Sequence, residues 1–204
     1  EHDNLDGDNV LKTKGAIHYL TSEEIEKDKE YLFSISSKLR DKNIISLIIG
    51  GPTQYYDYSD RNIQEIFSKV NYLVKENNLN LVVIPSMRTP KGTIEHAKIY
   101  FGNDHLVLDG VDKKAYLSAL SISKHIVITC DSSSMISEAA LTGKPIYIAT
   151  IPPKKNDKRF KNFRKLFQEM NIVKELGEKL ENWNYEKLDE TNRVANIIKD
   201  KIQL

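Results

Sequence analysis

Cysteine is nearly absent from this chain. Cys130 is the one thiol in 204 residues, which excludes an internal disulfide framework and fits a reducing compartment. At the end of an apolar run it reads as a small buried residue. The five histidines are scattered, with neither H-x-x-x-H nor C-x-x-C in the chain, so no metal-ligand spacing is present. No apolar run nears the ~20 residues of a membrane span. Neither sign of charge dominates: 30 Lys and Arg stand against 29 Asp and Glu, which removes the global argument for nucleic acid. Also missing are G-x-G-x-x-G, the Walker loop and G-x-S-x-G. There is no internal repeat and no low-complexity segment. The chain opens at Glu1 in a polar, turn-rich stretch without a secretory signal, as the interior of a longer protein would.

What is present is an alternation of helical periods and short β-branched runs. Residues 21–39 read as a helix, with Thr21 and Glu24 as a capping box and Ile25, Leu32, Ile35 and Leu39 at helical spacing. Residues 44–49 (IISLII) form a buried strand closed by Gly50-Gly51-Pro52. A helix over 61–75 carries Ile63, Ile66, Phe67, Val70 and Val74 on one face, and residues 79–84 make a second strand stopped by Pro85. The pattern continues with a helix at 93–100, a strand at 105–108 and a helix at 113–120. A strand at 126–130, a helix at 132–142 and a strand at 146–149 complete it. Such alternation demands right-handed crossovers, hence a Rossmann-like α/β core at 41–150: a parallel sheet with helices on both faces. Residues 1–40 would be a connector and leading helix. After Pro152-Pro153 the composition turns basic, and residues 151–204 read as a C-terminal helical segment. It holds the apolar stripe Phe160, Phe163, Leu166, Phe167 and Met170 and a last helix at about 185–202.

In an open α/β sheet, ligands bind beyond the carboxyl ends of the strands. Those ends carry Gly50-Gly51-Pro52-Thr53, Ser86-Met87-Arg88-Thr89, Asp109-Gly110 and Asp131-Ser132-Ser133-Ser134. Gly50 and Gly51 permit close backbone approach, so their amides could point at phosphate oxygens; a plain turn is the competing reading. Ser132, Ser133 and Ser134 open a helix whose free amides favour an anion, although Asp and Ser are also the ordinary capping residues. Asp131 favours capping, since a carboxylate repels phosphate. Glu138 stands one turn after Ser134 and is placed to accept hydrogen bonds from a ribose diol, or else is a solvated helix carboxylate. Arg88 offers a planar fork to phosphate or carboxylate, against a surface ion pair. Lys144 follows the helix end at Gly143 and complements the helix dipole. The run Lys154, Lys155, Lys158, Arg159, Lys161, Arg164 and Lys165 suits an anionic membrane surface or a solvated helix face. His18 and His96 are the best-placed histidines, yet no nucleophile adjoins them, and no catalytic residue or metal ligand is assigned.

Taken in order, these segments resemble the mitochondrial-fission "elongated mitochondria" family, whose bacterial members are labelled predicted nucleoside-diphosphate-sugar epimerases. The motifs are His2-Asp3, Gly7-Asp8-Asn9-Val10, Gly15-Ala16-Ile17-His18, Gly50-Gly51-Pro52-Thr53, Ser86-Met87-Arg88-Thr89-Pro90, Asp109-Gly110, the stretch from Asp131 to Ala139, and Thr142-Gly143-Lys144-Pro145. The family in turn is similar to two-Rossmann-domain B-type glycosyltransferases, in which the C-terminal domain holds the donor. The resemblance implies the C-terminal half of a GT-B-like fold, with Gly51 and Thr53 near the diphosphate or acceptor cleft. It places Ser132 to Ser134 toward the diphosphate and Glu138 on the ribose.

The expectation is therefore a nucleoside-diphosphate-sugar (donor) binding domain of a glycosyltransferase-like protein. Its ligand residues would be Gly50, Gly51, Thr53, Ser86, Arg88, Thr89, Asp131, Ser132, Ser133, Ser134 and Glu138, with no cofactor or metal required. Its partners would be the nucleotide sugar and an N-terminal domain absent from this chain, in the cytoplasm or at a membrane surface. A non-catalytic protein acting through partners or a membrane surface is the alternative. An epimerase is the third, and the missing G-x-x-G-x-x-G and Tyr-x-x-x-Lys of sugar epimerases count against it.

Overall fold

A computed structural model describes residues 5–40 and 42–202, with only the backbone of Asn103; His2-Asp3 of the first motif lies outside the described residues. The elements follow the order α1 (Ser22–Lys27), α2 (Tyr31–Ile35), β1 (Ile44–Ile49), α3 (Asp60–Glu76), β2 (Asn80–Pro85), α4 (Lys91–Phe101), β3 (Leu106–Val107), α5 (Lys113–Ile122), β4 (His125–Thr129), α6 (Ser133–Ala140), β5 (Ile146–Ala149), α7 (Lys158–Glu169), β6 (Val173–Glu175) and α8 (Glu190–Ile202). Among the described residues six strands form one sheet in the order β3-β2-β1-β4-β5-β6, and their pairings are all parallel. Right-handed crossovers place α3 and α4 on one face and α5, α6 and α7 on the other. This is the expected Rossmann-like fold. β1 and β4 are wholly buried, as their unalternating apolar sequences require.

The helix expected over 21–39 is broken. Thr21 caps α1 by accepting the Glu24 N–H at 3.1 Å, but α1 and α2 are separate and a 3₁₀ turn follows at Ser37–Leu39. The cause is tertiary. The Ser118 hydroxyl of α5 accepts the Leu32 N–H at 3.1 Å and donates to the Lys29 carbonyl at 2.7 Å. One side chain thus supplies partners that the helix would have supplied, and the chain bends around it. Ile25, Leu32 and Leu39 are buried while Ile35 is exposed, so the apolar stripe is shorter than its spacing suggests.

The last helix begins at Glu190, not near Tyr185. Before it, the Leu188 N–H bonds the Ala140 carbonyl at the end of α6. β6 carries one buried residue, Val173, in three, which is too little pattern to read as a strand; its pairing with β5 forms it. The segment before α1 is tied down over residues 14–18. Lys14 N–H donates to Glu190 of α8 at 2.8 Å, Ala16 N–H to Ser137 of α6 at 2.9 Å, and His18 N–H to Thr191 at 3.2 Å. Gly15 makes this fit possible: a Cβ there would stand 2.9 Å from Ser137 Oγ and 3.2 Å from the Phe167 ring.

Candidate functional site

β1 and β4 are neighbours whose onward chains leave in opposite directions across the sheet. The crevice between their carboxyl ends is the topological switch point, where open α/β sheets hold ligands. Gly50 and Gly51 leave β1 there, and Asp131 leaves β4.

Asp131 is the hub. Its carboxylate is fully buried and takes three donors: the Gly51 N–H at 3.1 Å, the Tyr58 hydroxyl at 2.5 Å and the Arg88 guanidinium at 2.8 Å. Arg88 also donates to the Gly51 carbonyl at 3.1 Å. A buried charge survives only when paired and hydrogen-bonded, and here both conditions are met. Burial, then the Asp131 charge, push the Tyr58 phenol far above its ordinary pKa, so it stays a donor. Tyr58 Oη and Thr129 Oγ1 are also hydrogen-bonded at 2.9 Å, and Thr129 Oγ1 accepts the Gly50 N–H at 2.8 Å.

The two glycines are needed for close approach. A Cβ on Gly50 would lie 2.6 Å from Asp131 Cγ, and one on Gly51 would lie 2.6 Å from Arg88 Cβ. Their amides, however, point into the protein, at Thr129 and Asp131, and not outward at a ligand. Thr53 is likewise engaged: its hydroxyl accepts the amides of Tyr55 and Tyr56, both at 3.1 Å. The Thr89 hydroxyl shares its one proton between the carbonyls of Ile49 at 2.7 Å and Gly50 at 2.6 Å and accepts the Ser86 N–H at 2.8 Å. Ser86 Oγ accepts the Arg88 N–H at 3.3 Å. These residues build the wall of the crevice.

The outward-facing groups are fewer. Arg88 keeps 43% of its side chain exposed and uses two of its five N–H donors in the contacts above. Ser132 caps α6 by accepting the Met135 N–H at 3.3 Å. Ser133 and Ser134 then form the first turn, whose amides a helix start leaves without intrahelical acceptors. Ser134 is exposed and Ser133 half-buried. Glu138, half-buried on α6, accepts the Tyr116 hydroxyl of α5 at 2.6 Å. The structure thus brings Gly50, Gly51, Ser86, Arg88, Thr89 and Asp131 into one hydrogen-bonded unit, with the start of α6 following directly from it. Glu138 belongs to the same helix but is bound to another element.

Sequence reasoning passed over Tyr58, Thr129 and Tyr116. The run Tyr55-Tyr56-Asp57-Tyr58 just after Gly50-Gly51-Pro52 was the available signal, since such density of aromatics in a loop is unusual. Two other expectations, for Lys144 and Arg164, resolve differently. Lys144 donates to the carbonyls of Leu120, at 2.9 Å, and Ser121, so it complements the end of α5 and not its own helix. Arg164 leaves the basic face and is buried, donating to Tyr56 Oη at 2.9 Å and pairing with buried Asp157 at 3.3 Å. His96 bonds Gln64 at 2.7 Å on the helix surface. Cys130 is buried as expected, its thiol pushed up to about 11 by desolvation. Among the described residues no helix is long and apolar enough to cross a membrane, and no group of His, Cys, Asp or Glu has the arrangement of a metal site.

The sequence and the fold have counterparts. The chain is 27% identical over 209 residues to the uncharacterized protein RP120 of Rickettsia prowazekii, covering 96% of this chain and 56% of the relative. It is 26% identical over 207 residues to the mitochondrial fission protein ELM1 of Arabidopsis thaliana, covering 96% and 46%. The chain therefore spans about half the length of these curated relatives. Among solved structures, a putative UDP-N-acetylglucosamine 2-epimerase from Listeria monocytogenes superposes with a TM-score of 0.51 at 16% identity, over 93% of this chain and 42% of that one. The UDP-GlcNAc 2-epimerase from Neisseria meningitidis, solved bound to UDP-GlcNAc, superposes at 0.50 and 14% identity over 89% and 43%. At such identities the likeness is one of fold. The family model for mitochondrial fission ELM1 matches residues 1–202, and the chain belongs to that family.

Proposed function

We propose that this domain binds a nucleoside diphosphate sugar at the β1–β4 crevice. The observation that carries the reading is the pairing of a charge-neutralised wall with an anion-receptive edge. Asp131 is held by Arg88, Tyr58 and the Gly51 amide, so its charge is balanced within the protein. Arg88 retains exposed donors, and the first turn of α6 adds oriented amides. In this reading the diphosphate lies between these two donor groups, and Glu138, farther along α6, accepts the ribose hydroxyls. Support for a nucleotide sugar over a bare phosphate comes from the shared fold with a protein solved holding UDP-GlcNAc. Titration calorimetry of the full-length protein with UDP, GDP and their sugars tests this. Heat that saturates with one of them, and weakens in Arg88→Ala, is expected; a folded sample that binds none of them refutes it.

A further inference from the structure

The phenol of Tyr116 and the carboxylate of Glu138 meet between α5 and α6 at 2.6 Å. We infer that Tyr116 is a positioning residue for ribose recognition, holding Glu138 so that its carboxylate presents its remaining lone pairs to a cis-diol. The inference rests on the nucleotide reading above and adds to it how the ribose is selected.

Three features support it. The contact is a charge-assisted hydrogen bond of the short, strong kind. Burial and the Glu138 charge raise the Tyr116 pKa well above its ordinary value, so the phenol donates across the physiological range. The helix bearing Glu138 is fixed independently at the preceding residue. Ser137 Oγ donates to the Ser133 carbonyl at 2.8 Å and accepts the Ala16 N–H at 2.9 Å. With α6 held from the segment before α1 and Glu138 held from α5, the carboxylate has less rotamer freedom to lose when a ligand arrives. A free glutamate would lose that entropy on binding. A carboxylate accepts at about four lone-pair sites, and Tyr116 occupies one, which leaves enough for two hydroxyls.

The test compares UDP and GDP with their 2′,3′-dideoxy forms on the full-length protein and on Tyr116→Phe, which keeps the ring and removes only the donor. The wild type is expected to prefer the ribonucleotide. Tyr116→Phe is expected to lose about five- to tenfold in affinity for it, the worth of one net hydrogen bond, while its affinity for the dideoxy form stays unchanged. Glu138→Gln should erase the preference for the diol, and adding Tyr116→Phe to it should cost nothing more. A role in packing alone would weaken both ligands equally, and that result overturns the inference, as does an unaltered Tyr116→Phe. Wild type that binds ribo- and dideoxy forms alike overturns it without any variant while leaving nucleotide binding intact. Absence of binding to any of the four overturns the nucleotide reading and this inference together.

Discussion

Gly51→Ala is expected to destabilise the domain by about 3 kcal/mol, near the upper end for overpacking a tight site. The added Cβ would stand 2.6 Å from Arg88 Cβ and nearer still to the Arg88 carbonyl. That is about 1 Å inside ordinary carbon–carbon contact. The obstacle is largely backbone, so no side-chain rotation relieves it. The 86–89 turn would have to retreat, and Thr89 pins it to the carbonyls of Ile49 at 2.7 Å and Gly50 at 2.6 Å. Retreat also stretches the Arg88 bond to Asp131, itself 2.8 Å long. Each hydrogen bond weakened adds about 1 kcal/mol. Gly92→Ala is the internal control: it adds the same methyl in the first turn of α4, where nothing lies within 4 Å of the new atom. There the alanine is expected to stabilise by about 0.5 kcal/mol through helix propensity and a less flexible unfolded chain. Guanidinium unfolding of the purified variants, read as midpoint shifts at constant slope, separates the two signs. Gly51→Ala within 0.5 kcal/mol of wild type would refute the claim that close approach of these two turns builds the crevice.

The other predictions concern charge. Asp131→Ala is expected to cost about 3 kcal/mol, because the buried Gly51 N–H is orphaned and Arg88 loses its partner. Asp131→Asn, which keeps the shape, should cost about half of that; equal losses would show that the hydrogen-bonded hub is not what matters. Lys144 titrates at about 8 instead of 10.5, chiefly from desolvation. Its native form therefore sheds its proton before the unfolded chain does. In the window from about 8 to 10.5 the unfolded state binds more protons, so the contribution of this lysine to stability rises with pH. Lys144→Met should flatten that rise, and parallel stability–pH curves for the two proteins would contradict the assignment.

Much of the architecture was legible because it rests on short-range pattern. The runs at Ile44–Ile49 and Ile146–Ala149 read as buried strands and are buried strands. α3 shows its apolar face in its spacing, and Ile63, Ile66, Phe67, Val70 and Val74 all reach the core. Errors fall where a distant group intervenes. Residues 21–39 carry a helical period, but Ser118, 86 residues from Leu32, breaks it. Beside Gly143, Lys144 has the position of a residue serving its own helix, whereas the carbonyls it serves belong to α5. Arg164 looked like one more charge on a basic face, and only the positions of Tyr56 and Asp157 turn it inward.

The candidate site divides in the same way. Local sequence, by itself, determined that small and polar residues gather at four strand ends on one rim, because parallel strand polarity follows from the alternation of helices and apolar runs. It could not determine which of those residues remain open to a ligand. That depends on contacts such as Gly51 to Asp131, 80 residues apart, and Tyr58 to Asp131, 73 apart. Only the packed sheet brings β1 beside β4, and only then does Asp131 become a buried acceptor, the glycine amides turn inward, and Arg88 and the start of α6 remain facing outward.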